Sequence, residues 1–138
     1  MAEIAKTSLL KTSPDSFFCK KPTWKFEFFD KELWTPIGHL DGIILKFSDL
    51  EKTTWAIIDG TPKSGNRTTG SRNHFVNVED LISDAQDRLV ELHLNYSQIY
   101  SIALTGKKRL WGILEDGVFG ILWYDPEHEI CPSLKKHT

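Results

Sequence analysis

"RLWGILEDGVFGILWYDPEHEIC", residues 109–131, decides how the rest of the chain is read. Asp116-Gly117 marks a two-residue hairpin, because a type I′ turn needs positive φ at both central positions and this pair tolerates them. With that loop, Glu115 pairs with Val118, Leu114 with Phe119, Ile113 with Gly120 and Gly112 with Ile121. The same register continues through Trp111 with Leu122, Leu110 with Trp123 and Arg109 with Tyr124. One face then carries Leu110, Leu114, Phe119, Ile121 and Trp123, all apolar and suited to lie under helices. The other carries Arg109, Trp111, Ile113, Leu122 and Tyr124, apolar in the middle but aromatic and cationic toward "DPEHE". Either this second face is open, or the N-terminal arm or a partner chain covers it and Trp111 and Tyr124 are core residues.

Working outward, "QIYSIALT", 98–105, reads as the strand before the hairpin. Val78, Leu81, Ile82, Ala85, Leu89 and Leu92 recur at helical spacing behind Asn77, so a helix is predicted over 78–93, with Asn77 as its cap and Asn95 as its end. "DGTPKSGNRTTGSRN", 59–73, consists of turn formers with nothing to bury and is predicted to be a mobile loop. Leu40, Ile43, Ile44, Phe47, Leu50, Thr54, Ile57 and Ile58 predict an amphipathic helix over 40–58, capped by Asp41. "TWKFEFFD", 23–30, alternates aromatic and polar residues as a half-buried strand does. Residues 1–22 read as a loosely ordered arm that Phe17-Phe18 could anchor.

The order strand, helix, helix, strand, strand, strand predicts a single α+β domain over 23–138, an antiparallel sheet with two helices packed on one face. The expected core is Ile43, Ile44, Phe47, Leu81, Ala85, Leu89, Leu110, Phe119, Ile121 and Trp123. A length of 138 residues, 40% apolar and 26% charged, suits one globular domain with one core. No apolar run approaches the ~20 residues of a membrane span, and the N-terminal stretch lacks the apolar core of a secretory signal, so the cytoplasm is expected. Cys19 and Cys131 are far apart with no metal spacing, and two free thiols are expected.

The net charge of −2 gives no global attraction to nucleic acid, so any such attraction must be local. Local clustering exists. Between Gly60 and Val78 there is no acid, while Lys63, Arg67 and Arg72 are basic, and "GKKR" at 106–109 adds Lys107, Lys108 and Arg109. Residues 79–91 are correspondingly acidic. A guanidinium beside Trp111 and Tyr124 suits RNA, since bases stack on aromatic rings for ~1–3 kcal/mol each and arginine grips phosphate. Pro126 cannot donate to a ladder, so the chain is expected to leave the sheet there and to place His128 on the rim, where it could move protons near neutral pH. Asp125, His128 and Cys131 are too loosely spaced for a metal site, and no phosphate loop, nucleophile motif or cofactor fingerprint is present, so neither metal nor cofactor is expected.

The order of elements, and "GKKRLWGILEDGVFGILWYDPEHEI" in particular, resembles the C-terminal half of the RelE/ParE-like superfamily of small bacterial toxins. The stretch is also similar to short bacterial proteins with an Arg-Leu-Trp-Gly strand and a Trp-x-Asp-Pro-x-His ending. The resemblance covers 98–131 and is topological more than motif-level; such toxins are usually shorter and more basic. It implies a toxin-like RNA-binding protein or metal-independent mRNA endonuclease of a toxin–antitoxin or defence system, with RNA or the ribosome and an antitoxin as partners. On that resemblance Arg109 would bind the scissile phosphate and His128 would act as acid or base, with Lys107 and Lys108 in support. Trp111 and Tyr124 would stack bases, and Arg67 and Arg72 would add phosphate contacts. The alternative is a non-catalytic protein-interaction module of such a system, using the Trp111/Tyr124 face.

Overall fold

The computed structural model describes residues 15–60 and 72–132. Its elements run α1 (Asp15–Phe18), β1 (Thr23–Lys25), α2 (Leu40–Leu50), α3 (Trp55–Ile58), β2 (His74–Asn77), a 3-10 turn (Val78–Asp80), α4 (Ser83–Glu91), β3 (Gln98–Ala103), β4 (Arg109–Glu115) and β5 (Val118–Asp125). The fold class is α+β, with five strands in the order β1-β5-β4-β3-β2. All neighbours are antiparallel except β1, which pairs in parallel with β5 through Trp24 opposite Phe119. No helix among the described residues is long and apolar enough to cross a membrane.

The hairpin forms as its turn residues require: Asp116 and Gly117 have φ of 54° and 84°. The pairing agrees with the sequence reading from Glu115 opposite Val118 to Gly112 opposite Ile121. It then shifts by one residue. Leu122 is the extra residue of a β-bulge, so Trp111 faces Trp123, Leu110 faces Tyr124 and Arg109 faces Asp125. The expected pairs Trp111–Leu122, Leu110–Trp123 and Arg109–Tyr124 are corrected accordingly. The cause lies in the segment after β1. That strand ends at Lys25, and the outer edge of β5 beyond it is taken by the connection to α2: Asp30 N donates to Leu122 O (3.0 Å) and Tyr124 N donates to Trp34 O (2.7 Å).

A bulge of one residue moves everything beyond it to the other face. Trp123 therefore lies with Trp111, Ile113, Leu122, Ile99 and Val76 on the face covered by α4 through Ala85 and Leu89. Tyr124 lies with Leu110, Leu114, Phe119, Ile121, Tyr100 and Ile102 on the face covered by α2 and α3 through Ile43, Phe47, Leu50, Trp55 and Ile58. The helices thus cover both faces of the sheet, which corrects the expected one-sided packing. The physical reason is visible in the three central strands, where nearly every residue is buried and both faces are apolar, so each face requires a cover.

The helical stretches are shorter than predicted. The 40–58 stretch breaks at Glu51–Thr54, where Lys52 N and Thr53 N fall back on carbonyls three residues earlier and Thr54 is extended. Residues 78–93 divide into the 3-10 turn and α4, with Ile82 extended between them. Asn77 and Asp41 make no cap hydrogen bond: Asn77 ends β2, a strand not predicted, and Asp41 sits in the first turn of α2 behind His39. His93, with φ of 61°, rather than Asn95, closes α4 by letting Leu94 N reach Leu89 O at 3.0 Å. Of the expected core, Ile44 is 60% exposed; α2 buries the narrower stripe Ile43, Phe47 and Leu50. Phe17 and Phe18 of α1 pack against the α2 side of the core.

The Cδ2–Cε2 edge of the Phe28 ring lies against Gly120, where an added Cβ would sit 2.5 Å from it. Gly120→Ala is expected to cost about 1–3 kcal/mol, because the displaced ring belongs to the segment that covers the outer edge of β5. Urea denaturation of the variant measures this, and an unchanged midpoint would show that Phe28 has free room to move.

Candidate functional site

The acidic ending that follows the hairpin is first of all a structural closure. Asp125 is fully buried, and its carboxylate accepts from Glu129 N (3.0 Å), Ile130 N (3.0 Å) and the Trp111 indole Nε1 (3.2 Å). The chain after Pro126 folds back onto Asp125, and His128 takes the left-handed turn position, φ 57°, half-exposed. Glu129 accepts from Trp34 Nε1 at 2.8 Å, and Ile130 O accepts from Ile82 N at 2.9 Å. "DPEHE" thus ends the strand by satisfying its own backbone donors on one buried carboxylate.

Arg109 is 8% exposed, and its Nη1 donates to Gly106 O (2.8 Å) and Lys108 O (2.9 Å), so the guanidinium braces the turn between β3 and β4. Burial, then the nearby Arg72 charge, pull its pKa below the ordinary arginine value, with Asp125 opposing them. Among the described residues no hydrogen bond or ion pair joins Arg109 to His128. Trp111 is 2% exposed and presents no ring face to a base. Tyr124 lies on the opposite face of the sheet from Trp111, so the two rings form no common platform; the bulge at Leu122 separates them.

The basic residues behave differently. Arg72 and Lys108 are exposed and make no ion pair among the described residues, while Lys107 pairs with Glu127 at 2.7 Å. Arg67 lies outside the described residues, as does most of the loop predicted to be mobile. The two ends of that loop are pinned. Gly60 N donates to Asn73 O (2.6 Å), Asn73 Nδ2 to Ile58 O (3.1 Å), and Ala103 N to Asn73 Oδ1 (2.8 Å). Beside them the buried Tyr100 hydroxyl donates to Asp59 Oδ1 at 2.6 Å; burial and that carboxylate push the Tyr100 pKa well above the ordinary phenol value. Because Ala103 faces Arg109 across the sheet, this anchoring carries Arg72 to the corner that holds Lys107, Lys108 and Arg109.

At the same corner a groove of about 350 Å³ runs between α2 and the β3–β4 turn, lined by His39, Asp41, Gly42, Leu45, Lys46, Leu104, Thr105, Lys108 and Tyr124. The Tyr124 ring stacks on His39, centroids 4.1 Å apart and planes within 15°, and His39 itself is exposed. Of the residues lining this groove, the sequence marks only Lys108 and Tyr124 as candidate RNA contacts, and Asp41 as a helix cap. Gly42, Leu45 and Lys46 run along one flank of the buried stripe Ile43, Phe47 and Leu50 on α2, a helical phase that a surface-facing reading of the same periodicity would have found. Among the described residues no group of three or more His, Cys, Asp or Glu side chains could hold a metal ion. Comparisons with protein-family models, with curated proteins and with solved structures returned no match for this chain.

Proposed function

We propose that this chain is a toxin-like RNA-binding protein that takes single-stranded RNA across the corner formed by α2 and the β3–β4 turn. The observation that carries the reading is convergence. Lys46 of α2 and Lys108 of the β3–β4 turn, distant in the chain, line one groove with the His39–Tyr124 stack, and Lys107 adjoins Lys108 while Arg72 stands near Arg109, although the chain as a whole is slightly acidic. Aromatic faces accept any base, and exposed lysines and arginines release counterions from phosphate. Hydrolysis by Arg109 is not part of the proposal, because its guanidinium is committed to two backbone carbonyls.

Titration of the full chain with labelled single-stranded RNA at 50 and 200 mM salt tests the reading. Binding is expected to weaken with salt, and Lys46→Ala and Lys108→Ala should each flatten the logarithmic slope by about 0.7. No binding at low salt, or an unchanged slope in both variants, would remove it.

One further observation favours the interaction-module reading. Phe26, Ile37, Leu40 and Ile44 are 54%, 56%, 45% and 60% exposed, and the first three rim an apolar crevice beside Phe29 and Pro36. Ile44→Glu separates the two readings, since RNA binding should persist in it.

A further inference from the structure

Resting on the RNA-binding reading of the groove, we infer that the groove selects a guanine base of the strand, with Asp41 as the reading residue. Asp41 lines the groove together with His39, Lys46, Lys108 and Tyr124. A carboxylate in a pocket meant only for phosphate would repel the ligand, so its presence calls for a donor-rich partner. Among the described residues the Asp41 carboxylate makes no hydrogen bond or ion pair, and the Lys46 and Lys108 ammonium groups make none either. The groove therefore offers one pure acceptor and two pure donors beside an aromatic stack.

Guanine alone among the four RNA bases matches this set. Its N1–H and N2–H₂ are adjacent donors on one edge, and a carboxylate accepts both at once. Its O6 and N7 are adjacent acceptors on another edge, and an ammonium group donates to them. Adenine and cytosine each turn one amino donor and one ring-nitrogen acceptor toward the same carboxylate, and uracil turns one donor between two carbonyls. Each loses one contact and sets a lone pair against a negative charge. The exposed face of His39 extends the Tyr124 stack to carry the purine plane.

The probe is the single-stranded heptamer UUUGUUU, titrated against the full chain beside versions with A, C, U or inosine at the centre. The G strand is expected to bind about tenfold or more tighter than the A, C and U strands, with inosine, which lacks the N2 amino group, between them. Asp41→Asn should abolish the preference, so that within this variant the G, A, C and U strands bind with equal affinity. Equal binding of all strands to the wild type, or G preference retained in Asp41→Asn, overturns the inference while the RNA-binding reading stands. No binding of any strand overturns both. Guanosine monophosphate displacing the G strand at concentrations comparable to that strand itself would overturn assignment to a residue within RNA in favour of a free nucleotide. Displacement only at concentrations a hundredfold or more above it supports the strand.

Discussion

Trp123→Ala is expected to destabilise the chain by about 3–5 kcal/mol, a large part of the stability of an ordinary domain. The ring is fully buried on the α4 side, meets Trp34 edge-on at 5.1 Å, and its Nε1 donates to Asp30 Oδ2 at 3.0 Å. Equilibrium urea unfolding measures the loss. Trp123→Phe distinguishes the bulged pairing from a regular one. In the regular register Trp123 would sit beside Leu110 with no carboxylate, and Phe would cost only the volume it leaves empty. In the bulged register Phe also leaves Asp30 one donor short, which adds about 1–3 kcal/mol to that cost. A neutral Trp123→Phe would argue against the contact with Asp30.

Arg88→Met carries the second large expected effect, again about 3–5 kcal/mol, because it strips the counter-charge from a buried carboxylate. Asp30 is 1% exposed; Arg88 Nε and Nη2 each donate to it at 2.8 Å, and Glu32 N, Leu33 N and the Trp123 indole complete its partners. Burial by itself would raise the Asp30 pKa, but the hydrogen bonds from Arg88, from the two backbone groups and from Trp123 outweigh it and hold the carboxyl well below the usual carboxylate range. A folded pKa depressed below the unfolded value of about 3.9 contributes stability that is fully present above that value and lost as pH falls toward the folded one.

Wild-type stability should therefore decline steadily from about pH 5 downward. In Arg88→Met the Asp30 carboxyl protonates nearer its ordinary range, so its contribution disappears at higher pH and less of it remains to be lost under strong acid. Urea midpoints at pH 7, 5 and 3 for both proteins measure this. A variant within about 1 kcal/mol of wild type at pH 7 would show that the remaining donors suffice.

The elements that depend on local chemistry are legible in the amino-acid order. Asp116-Gly117 specifies its own turn because both residues tolerate positive φ, and the strands on either side follow from it up to Gly112 and Ile121. The α+β composition and the burial of Ile43, Phe47, Leu50, Ala85 and Leu89 follow from periodicity in the same way, whereas Leu40, Ile44 and Ile57 of the same pattern stay exposed. Of the candidate site, the two basic segments around Arg72 and Lys107–Lys108 were legible as charge, but not as neighbours. The remaining features emerge from long-range packing, because each depends on a partner far away in the chain. Asp30 and Trp34 occupy the edge of β5 and create the bulge, which moves Trp123 and Tyr124 to opposite faces. Asn73 reaches Ala103 and so carries Arg72 close to Arg109. Arg109 and Trp111 read as ligand-facing on charge and ring type alone, yet burial and nearby acceptors, two carbonyls and the Asp125 carboxylate, commit them to holding the fold.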